Sequence, residues 1–394
     1  MTARRLAVAA LLLILSAAPA MALKTDVLPP QGKNILTWTA QEQEAGYRRI
    51  PEVYPTRVIK RGSRVHALPR AAGPDLSGLK FSERGVDYTI ESMMAANHMS
   101  GLLVMKDGKI VLERYALGRT AEDRWVSFSI AKSVTSTLIG AAVKDGDIKS
   151  IDEPVVKYIP DLAGSAYDGV SIRNLISMTS GVRWNESYND VRSDVAQVVD
   201  RLPAPPGKNG IVEYMKGRPR EVPPGTRFLY NTGDTDLAGV LLVNATHKTM
   251  AQYLSEKIWK PYGMEKDANW MLDYWGQEHG GCCISMTLRD YGRFGQFILE
   301  GGHGILPDGW LATATTNQVP APATGRNQPY GFFWWIQPAQ KSFQAQGIKG
   351  QLIHIDPIQQ IVIVENGAVP NDGPPGGGKN AFLTAVVAAL TTKL

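Results

Sequence analysis

A serine and a lysine three residues apart, Ser129 and Lys132, are the side chains of this sequence best suited by type and spacing to covalent chemistry. The apolar run Val134 to Val143 follows, which predicts a helix that begins at the pair and is buried beyond it. Residues three apart share a helix face, so the two side chains can touch. Burial lowers the pKa of a lysine, and a lysine with a lowered pKa can take the proton of a serine hydroxyl. The pair therefore predicts a nucleophilic serine activated by a lysine.

The spacing is not specific by itself, because the chain contains it twice. The second copy, Ser77 to Lys80, follows a stretch rich in Pro and Gly and precedes no apolar helix, so it is predicted to be a surface loop. Short motifs also match by chance, and the alternative for Ser129 and Lys132 is two polar residues on an ordinary helix. The rest of the chain must decide.

Strand signals lie near both ends of the chain, with helix signals between them. Asp107-Gly108 separates two β-rich runs and predicts a hairpin, and a second hairpin is predicted around Pro357. Apolar residues at helical spacing predict helices at 236–244, 250–259, 287–299 and 381–390. This pattern predicts an α/β fold in which both ends of the chain build one antiparallel sheet, flanked by helices, with a helical lobe inserted at about 145–300.

The first 22 residues are predicted to be a signal peptide, because two arginines precede an apolar core and a small-x-small cleavage site. The apolar core is too short to span a bilayer and no later stretch is long enough. We therefore expect a periplasmic or secreted protein without an integral membrane segment, and leave the export route open. Residues 23–85 are predicted to be an N-terminal arm with little regular structure, and residues 86–394 a single domain.

Composition argues against several partners and cofactors. The 42 basic residues, less the two arginines of the signal peptide, stand against 37 acidic ones, a net charge of about +3. No basic run is present, so no nucleic-acid partner is expected. The histidines are scattered and no carboxylate spacing completes a set with His279, so no metal and no other cofactor is expected. The oligomeric state is left open.

The two cysteines, Cys282 and Cys283, are adjacent. Adjacent cysteines can bridge only through a strained small ring, which excludes a disulfide scaffold. Two small apolar thiols in a packed turn are the favoured interpretation, and whether they are bridged is left open.

Further stretches accompany the Ser129/Lys132 pair in a fixed order: Ile151–Val155 with Tyr158–Pro160, Ile172–Val182, Pro223–Thr226 with Tyr230, Gly280–Gly281 and Ser285–Asp290. Over residues 90–390 the chain resembles the penicillin-recognising serine hydrolases, which include class C β-lactamases, DD-peptidases and related esterases. It is most similar to the 6-aminohexanoate-dimer (nylon-oligomer) hydrolases. The resemblance implies a β-lactamase/transpeptidase-like fold and a catalytic Ser129.

The resemblance also implies a role for Tyr230, which matches the tyrosine of the family's second motif. A phenol held beside a lysine ammonium can carry a proton between the serine and the leaving group. A packed aromatic side chain is the alternative. Thr232 stands where the family usually has Asn or Ser, and a substrate-binding role is assigned to it.

The family's third motif aligns with Ala345-Gln346-Gly347-Ile348. The resemblance implies that Gly347 contacts substrate and that the backbone N–H groups of Ser129 and Ile348 form the oxyanion hole. Ala345 replaces the cation that receives a penicillin carboxylate, which argues against efficient turnover of β-lactams. Lys349 can supply a charge nearby or be a solvated strand residue.

Trp184 and Tyr188 match a loop over the active site of the nylon-oligomer hydrolases, where a tyrosine contacts the substrate amide. Substrate binding and anchoring of the loop are both open for this pair. The sequence therefore predicts an exported serine hydrolase that cleaves small amides or esters through an acyl-enzyme on Ser129. The alternatives are a β-lactamase or DD-peptidase acting on β-lactams or peptidoglycan peptides, and a non-catalytic protein that binds cell-wall fragments. The intact set of Ser129, Lys132 and Tyr230 favours an enzyme.

Overall fold

The computed structural model describes residues 27–71, 74–199, 202, 204–320, 329–371 and 376–391, and the predicted signal peptide lies outside them. Its strands are β1 (Thr56–Ile59), β2 (Lys80–Glu83), β3 (Val86–Thr89), β4 (Met99–Lys106), β5 (Lys109–Tyr115), β6 (Arg124–Val126), β7 (Ala268–Met271), β8 (Ile284–Thr287), β9 (Trp335–Gln337), β10 (Ser342–Gly347), β11 (Gln351–Asp356) and β12 (Ile361–Gly367). Its α-helices are α1 (Ala40–Gly46), α2 (Ile50–Val53), α3 (Ile90–Ala96), α4 (Ile130–Asp145), α5 (Ile172–Ile176), α6 (Asp194–Val199), α7 (Gly210–Lys216), α8 (Thr232–Thr246), α9 (Met250–Leu254), α10 (Leu288–Leu299), α11 (Trp310–Ala314) and α12 (Lys379–Thr391). Within these ranges no helix has the length and apolar character needed to cross a membrane.

A six-stranded antiparallel sheet joins the two ends of the chain, in the order β5-β4-β12-β11-β10-β9. Both predicted hairpins are confirmed: β4 pairs with β5 across Asp107-Gly108, and β11 pairs with β12 across the turn at Pro357. Asp107 and Gly108 have φ values of 50° and 72°, as the tight turn requires. The predicted fold class, an antiparallel sheet flanked by helices, is confirmed.

A second, four-stranded sheet runs in the order β1-β7-β8-β6 and was not predicted. Its first strand comes from the N-terminal arm and pairs with β7, more than 200 residues along the chain. The expectation of little regular structure in the arm is wrong for residues 35–59, which also form α1 and α2. Trp38 and Tyr47 are fully buried there and stack at 5.6 Å. The arm is thus part of the hydrophobic core.

Helices between residues 145 and 263 form the lobe, with α8 at its centre, packed against α4, α5 and α7. The rest of the predicted lobe range belongs with the sheets, since β7 and β8 are paired strands and α10 packs on β4 and β12. Glycines allow that close approach: a Cβ on Gly292 would lie 2.4 Å from Leu103, and one on Gly295 would lie 2.6 Å from Val362. Because α10 packs this closely on the sheet, neither position has room for a side chain.

The helix predicted to begin at the Ser129/Lys132 pair is α4, which runs between the six-stranded sheet and the lobe. Its residues from Ile130 to Ala142 are buried, consistent with the apolar run. The helix ends at Gly146, which has a φ of 84° and supplies the left-handed C-terminal cap. In the other Ser-x-x-Lys sequence, Ser77 lies in a short helical turn and Lys80 begins β2, and both side chains are exposed; the surface position is as predicted, but Lys80 belongs to a strand and not to a loop.

Candidate active site

The short segment between β6 and α4 places Ser129 at the start of the helix. Ser127 fixes this segment to β8: its N–H donates to the Ile284 carbonyl at 2.8 Å, and its hydroxyl accepts from the Ile284 N–H at 2.9 Å. Phe128, directly before Ser129, has a φ of 44°, a strained value for a side chain of this size. Its ring packs edge-on against Tyr47 at 5.2 Å. The core thus holds the backbone turn that presents Ser129.

Lys132 reaches back to Ser129 from the first turn of α4. Its Nζ lies 3.3 Å from Ser129 Oγ, 3.0 Å from Thr232 Oγ1 and 2.8 Å from the Gly281 carbonyl oxygen. An ammonium has three N–H donors, so these acceptors satisfy all of them. The lysine is only 1% exposed. The sequence-predicted pair is therefore in contact, and the lysine is held from three separate segments of the chain.

Burial lowers the pKa of Lys132 from 10.5 to about 8, because the charged ammonium loses its hydration. The negative charges of Glu186 and Asp236 oppose this effect and raise the pKa. At mildly alkaline pH a large fraction of Lys132 is therefore the neutral amine, which can accept a proton.

Tyr230 lies beside the pair, immediately before the residue that caps α8. Asn231 accepts the Asp234 N–H at 3.0 Å and so begins the helix, which fixes the backbone next to the tyrosine. The Tyr230 ring stacks on Trp335 at 5.5 Å, and Lys132 Nζ lies 5.3 Å from its centroid. The structure therefore brings Ser129, Lys132 and Tyr230 together.

The end of β10 closes the opposite side of the site. A Cβ on Gly347 would lie 2.5 Å from the Ser127 carbonyl oxygen and 3.1 Å from the Phe128 Cβ, so the strand passes closer than any side chain would permit. Ile348 and Ser129 line the same cavity. Ala345 is fully buried and is not among the residues that line that cavity.

The loop between α5 and α6 covers the pair, and its central residue is Glu186, which sequence analysis missed. The carboxylate accepts hydrogen bonds from Tyr188 OH at 2.8 Å, from the Thr232 hydroxyl at 2.5 Å and N–H at 3.1 Å, and from the Trp184 indole. Its only signal in the sequence is a carboxylate between two aromatic donors. Nothing local indicates the contact with Thr232, 46 residues away.

The cleft beside Ser129 has a volume of about 390 Å³. Tyr188 and Gly347 line it, whereas Trp184 and Thr232 are each 6% exposed and lie behind its surface. Substrate contacts for these four residues stay predictions. No Lys or Arg is among the described residues that line this cleft: Ser129, Glu186, Tyr188, Phe228, Leu229, Tyr230, Trp335, Gln346, Gly347 and Ile348.

A layer of buried polar groups lies behind Lys132. The Gly281 N–H donates to Asp236 at 2.9 Å, and His279 Nδ1 lies 3.8 Å from the other oxygen of that carboxylate. Burial lowers the pKa of His279, but the hydrogen bond and charge of Asp236 outweigh it and the pKa is raised. Across the described ranges, no group of three or more His, Cys, Asp or Glu side chains is arranged to hold a metal ion.

Cys282 and Cys283 follow in the same turn and are joined as a vicinal disulfide. The sequence left open whether the two cysteines are bridged, and in the structure neither is a free thiol. The Cys283 N–H donates to the Phe128 carbonyl at 3.4 Å, and Cys283 has a φ of 73°. The turn thus contacts the segment that presents Ser129.

A serine and a buried lysine at the start of a helix, set between a helical lobe and an antiparallel sheet, define the serine hydrolases of the β-lactamase fold. The chain belongs to the Beta-lactamase family, whose model matches residues 86–384. It is 26% identical over 346 residues to 6-aminohexanoate-dimer hydrolase of Paenarthrobacter ureafaciens, covering 82% of this chain and 85% of that relative. The protein is accordingly a serine hydrolase of this family.

Solved structures share the fold. One from Bacillus anthracis, provisionally named 6-aminohexanoate-dimer hydrolase, aligns with a TM-score of 0.77 and 23% identity over 91% of this chain and 95% of its own. Another from Bacteroides dorei, provisionally named β-lactamase, aligns with a TM-score of 0.62 and 24% identity over 77% and 97%. The predicted family and fold are confirmed.

Proposed function

We propose that the protein is an exported hydrolase that cleaves small amides or esters through an acyl-enzyme on Ser129. The observation that carries the proposal is the contact of Ser129 Oγ with a fully buried lysine, 3.3 Å away, whose pKa burial lowers to about 8. A lysine with a lowered pKa is neutral in a larger fraction of molecules near neutral pH than an exposed lysine, and only the neutral amine can accept the hydroxyl proton.

In the proposed reaction, Ser129 Oγ attacks the substrate carbonyl carbon while its proton passes to Lys132 or Tyr230. The N–H groups of Ser129 and Ile348 stabilise the oxyanion. The leaving amine or alkoxide takes a proton from the same pair, the C–N or C–O bond breaks, and the acyl group stays on Ser129. Water then attacks the ester carbon and gives a proton to the pair. The pair returns a proton to Ser129 Oγ as the bond between that oxygen and the acyl carbon breaks, which releases the acid and the free hydroxyl.

The cleft supports a preference for substrates that are uncharged at the reacting end. A carboxylate next to the scissile bond would need a cation, and the described cleft lining supplies none. Tyr188 lies at the cleft surface, where a hydroxyl can meet a substrate amide. The relative from Paenarthrobacter ureafaciens is named for the hydrolysis of an amide dimer, which supports linear amides as one substrate class.

The test combines covalent labelling with a substrate panel. A fluorophosphonate probe followed by mass spectrometry is expected to label Ser129 in the wild-type protein, and Ser129→Ala is expected to lose labelling. Ser77→Ala is the matched control, because Ser77 occupies the other Ser-x-x-Lys sequence. Short-chain esters and linear amides are expected to exceed penicillins in kcat/KM. Labelling of a different serine would contradict the nucleophile, and a penicillin as the best substrate would contradict the substrate class.

Tyr230→Phe separates proton transfer from packing. The ring keeps its contact with Trp335 and loses only the oxygen. We expect kcat to fall by roughly 10²–10⁴-fold for amides, with a smaller fall for nitrophenyl esters, whose leaving group needs no proton. The melting temperature is expected to stay unchanged. Near wild-type rates on both substrate types would remove the phenol from the mechanism.

A further inference from the structure

Glu186 has no role in the reaction described above, yet its carboxylate is the most heavily hydrogen-bonded group beside Ser129. Four donors reach its two oxygens: the hydroxyl and N–H of Thr232, the phenol of Tyr188 and the indole N–H of Trp184. A carboxylate that accepts from four donors and donates to none is suited to the ionised form. The loop therefore places a negative charge at the edge of the cleft.

That charge is connected to the proposed base by one hydroxyl. Lys132 Nζ donates to Thr232 Oγ1 at 3.0 Å, and the same hydroxyl donates its own proton to Glu186 Oε1 at 2.5 Å. A hydroxyl can donate once and accept twice, so a single orientation of Thr232 serves both bonds. The chain from ammonium through hydroxyl to carboxylate is continuous, and the bond between Lys132 and Thr232 is buried.

We propose that Glu186 is a positioning residue that acts on Lys132 through Thr232, and fixes both the place of the ammonium and the pH at which it becomes neutral. The inference rests on the proposed function, in which Lys132 takes part in proton transfer from Ser129. It adds a role for the loop between α5 and α6. Tyr188, which lines the cleft, also donates a hydrogen bond to Glu186, the carboxylate that acts on Lys132.

Other ionisable groups face Lys132 and must be separated from Glu186. Tyr230 lies beside the ammonium just before α8, Asp236 lies on α8 one turn after Thr232, and His279 lies on the turn before β8. Asp236 also raises the pKa of Lys132, but it accepts from the Gly281 N–H and has no hydroxyl bridge to the lysine. Glu186 is thus the carboxylate that is hydrogen-bonded to Lys132 through a side-chain hydroxyl, that of Thr232.

The expected sign follows from the charges. Glu186 raises the pKa of Lys132, so Glu186→Gln should lower it from about 8. The acid limb of the pH profile of kcat/KM should then move to lower pH, by about one pH unit for a lost charge at this range in a partly buried site. A residue that only anchored the loop would change KM and leave the limb in place, because it would not alter the charge on the base.

The experiment measures pH profiles of kcat and KM on a nitrophenyl ester for four variants. Glu186→Gln is expected to shift the acid limb as above. Thr232→Val keeps the shape without the hydroxyl, and is expected to lose at least about 10-fold in kcat because a buried N–H loses its acceptor. Thr232→Ser keeps the hydroxyl and is expected to retain the wild-type limb. Asp190→Asn, whose carboxylate accepts from the Arg192 N–H of the same loop, is the matched control and is expected to leave the limb unmoved.

The rate of fluorophosphonate labelling of Ser129 against pH gives a second readout that depends on the nucleophile and not on substrate binding. An unmoved limb in Glu186→Gln, or equal behaviour of Thr232→Val and Thr232→Ser, would overturn the inference. Ser129→Ala distinguishes this from failure of the proposed function. If Ser129→Ala is active, the proposed function fails; if it is inactive and Glu186→Gln shows no shift, only the role of Glu186 fails.

Discussion

Gly281 tests whether the exact position of the lysine matters more than the stability of the fold. A Cβ on Gly281 would lie 2.9 Å from Lys132 Nζ and 2.8 Å from Thr232 Cγ2, closer than non-bonded atoms approach. Gly281 does not have a positive φ, so alanine fits its backbone. The collision is with side-chain atoms of Thr232 and Lys132, and it forces Nζ to retreat by several tenths of an ångström.

That retreat should be costly for catalysis. Nζ would leave the Gly281 carbonyl, now 2.8 Å away, and move relative to Ser129 Oγ. Misplacement of a reacting group by about 1 Å can cost about 10²-fold, so we expect kcat to fall by roughly 10- to 100-fold. Overpacking of this kind typically costs about 1–3 kcal/mol, and Gly281→Ala should cost less than Gly280→Ala because the closest atoms belong to side chains and not to the backbone.

The assay is kcat on a nitrophenyl ester at pH 8, with the melting temperature of each variant. Two glycines serve as controls. At Gly280 a Cβ would lie 2.3 Å from the Thr235 carbonyl oxygen, a backbone atom that cannot yield, so Gly280→Ala should lose stability. At Gly78 a Cβ meets nothing within 4 Å, so Gly78→Ala should be silent. Wild-type kcat in Gly281→Ala, or a fall in melting temperature as large as that of Gly280→Ala, would refute the reasoning.

Burial raises the pKa of Asp234 from 3.8 to about 7, so its stabilising contribution is complete below pH 3.8 and is lost as pH rises through 7. Asp234→Asn should remove up to about 4 kcal/mol of this pH dependence. The measurement is the free energy of unfolding in urea at pH 5 and at pH 8, and the same difference between the two pH values in both proteins would contradict the prediction. Glu113 is buried and accepts from Arg289 at 2.7 Å and from Tyr115 at 2.7 Å, so Glu113→Gln should cost roughly 3 kcal/mol in thermal unfolding while kcat at 20–25 °C stays unchanged. Trp335→Ala should raise KM about 10-fold, because it removes the indole ring that lines the cleft and stacks on Tyr230, and Trp335→Phe should have an intermediate KM. An unchanged KM in Trp335→Ala would show that the indole does not contribute to substrate binding.

The parts of the fold that sequence predicts are those with local causes. The hairpin at Asp107-Gly108 follows from turn chemistry, and α4 follows from a long apolar run ended by Gly146. The four-stranded sheet has no such signal. Its strands β7 and β8 are four residues long and buried at every position. They therefore lack the alternation of apolar and polar residues that marks a half-buried strand, and they are too short to stand out as an apolar run. Their partners lie far away in sequence, and only packing brings them together.

In the candidate site too, the contacts that the sequence predicts are local, and those it does not predict join distant parts of the chain. Ser129 and Lys132 are placed by one helix, so their spacing is enough to predict their contact. Glu186 and Gly281 meet them from a loop and a turn. Glu186 carries no motif, and Gly280–Gly281, although part of the resemblance, does not indicate the contact of the Gly281 carbonyl with Lys132. The vicinal disulfide between Cys282 and Cys283 also depends on the turn that the surrounding chain imposes. Sequence therefore predicts the reacting pair better than the groups that control it.

Burial gives Lys132 its lowered pKa, but burial is possible only if every N–H of the ammonium has an acceptor. The three acceptors belong to different parts of the molecule: Ser129 to the lysine's own helix, Thr232 to the first turn of α8 in the lobe, and Gly281 to the turn before β8. A displacement of the lobe would leave a buried donor unpaired and admit water to the lysine. Loss of an acceptor lowers the pKa of the buried lysine further, whereas hydration raises it toward that of an exposed lysine and weakens the lysine as an acceptor at neutral pH. The packing of the lobe on α4 and the reactivity of Ser129 are therefore one property of the fold, which is why variants at the lysine's acceptors should alter the pH profile before they alter the melting temperature.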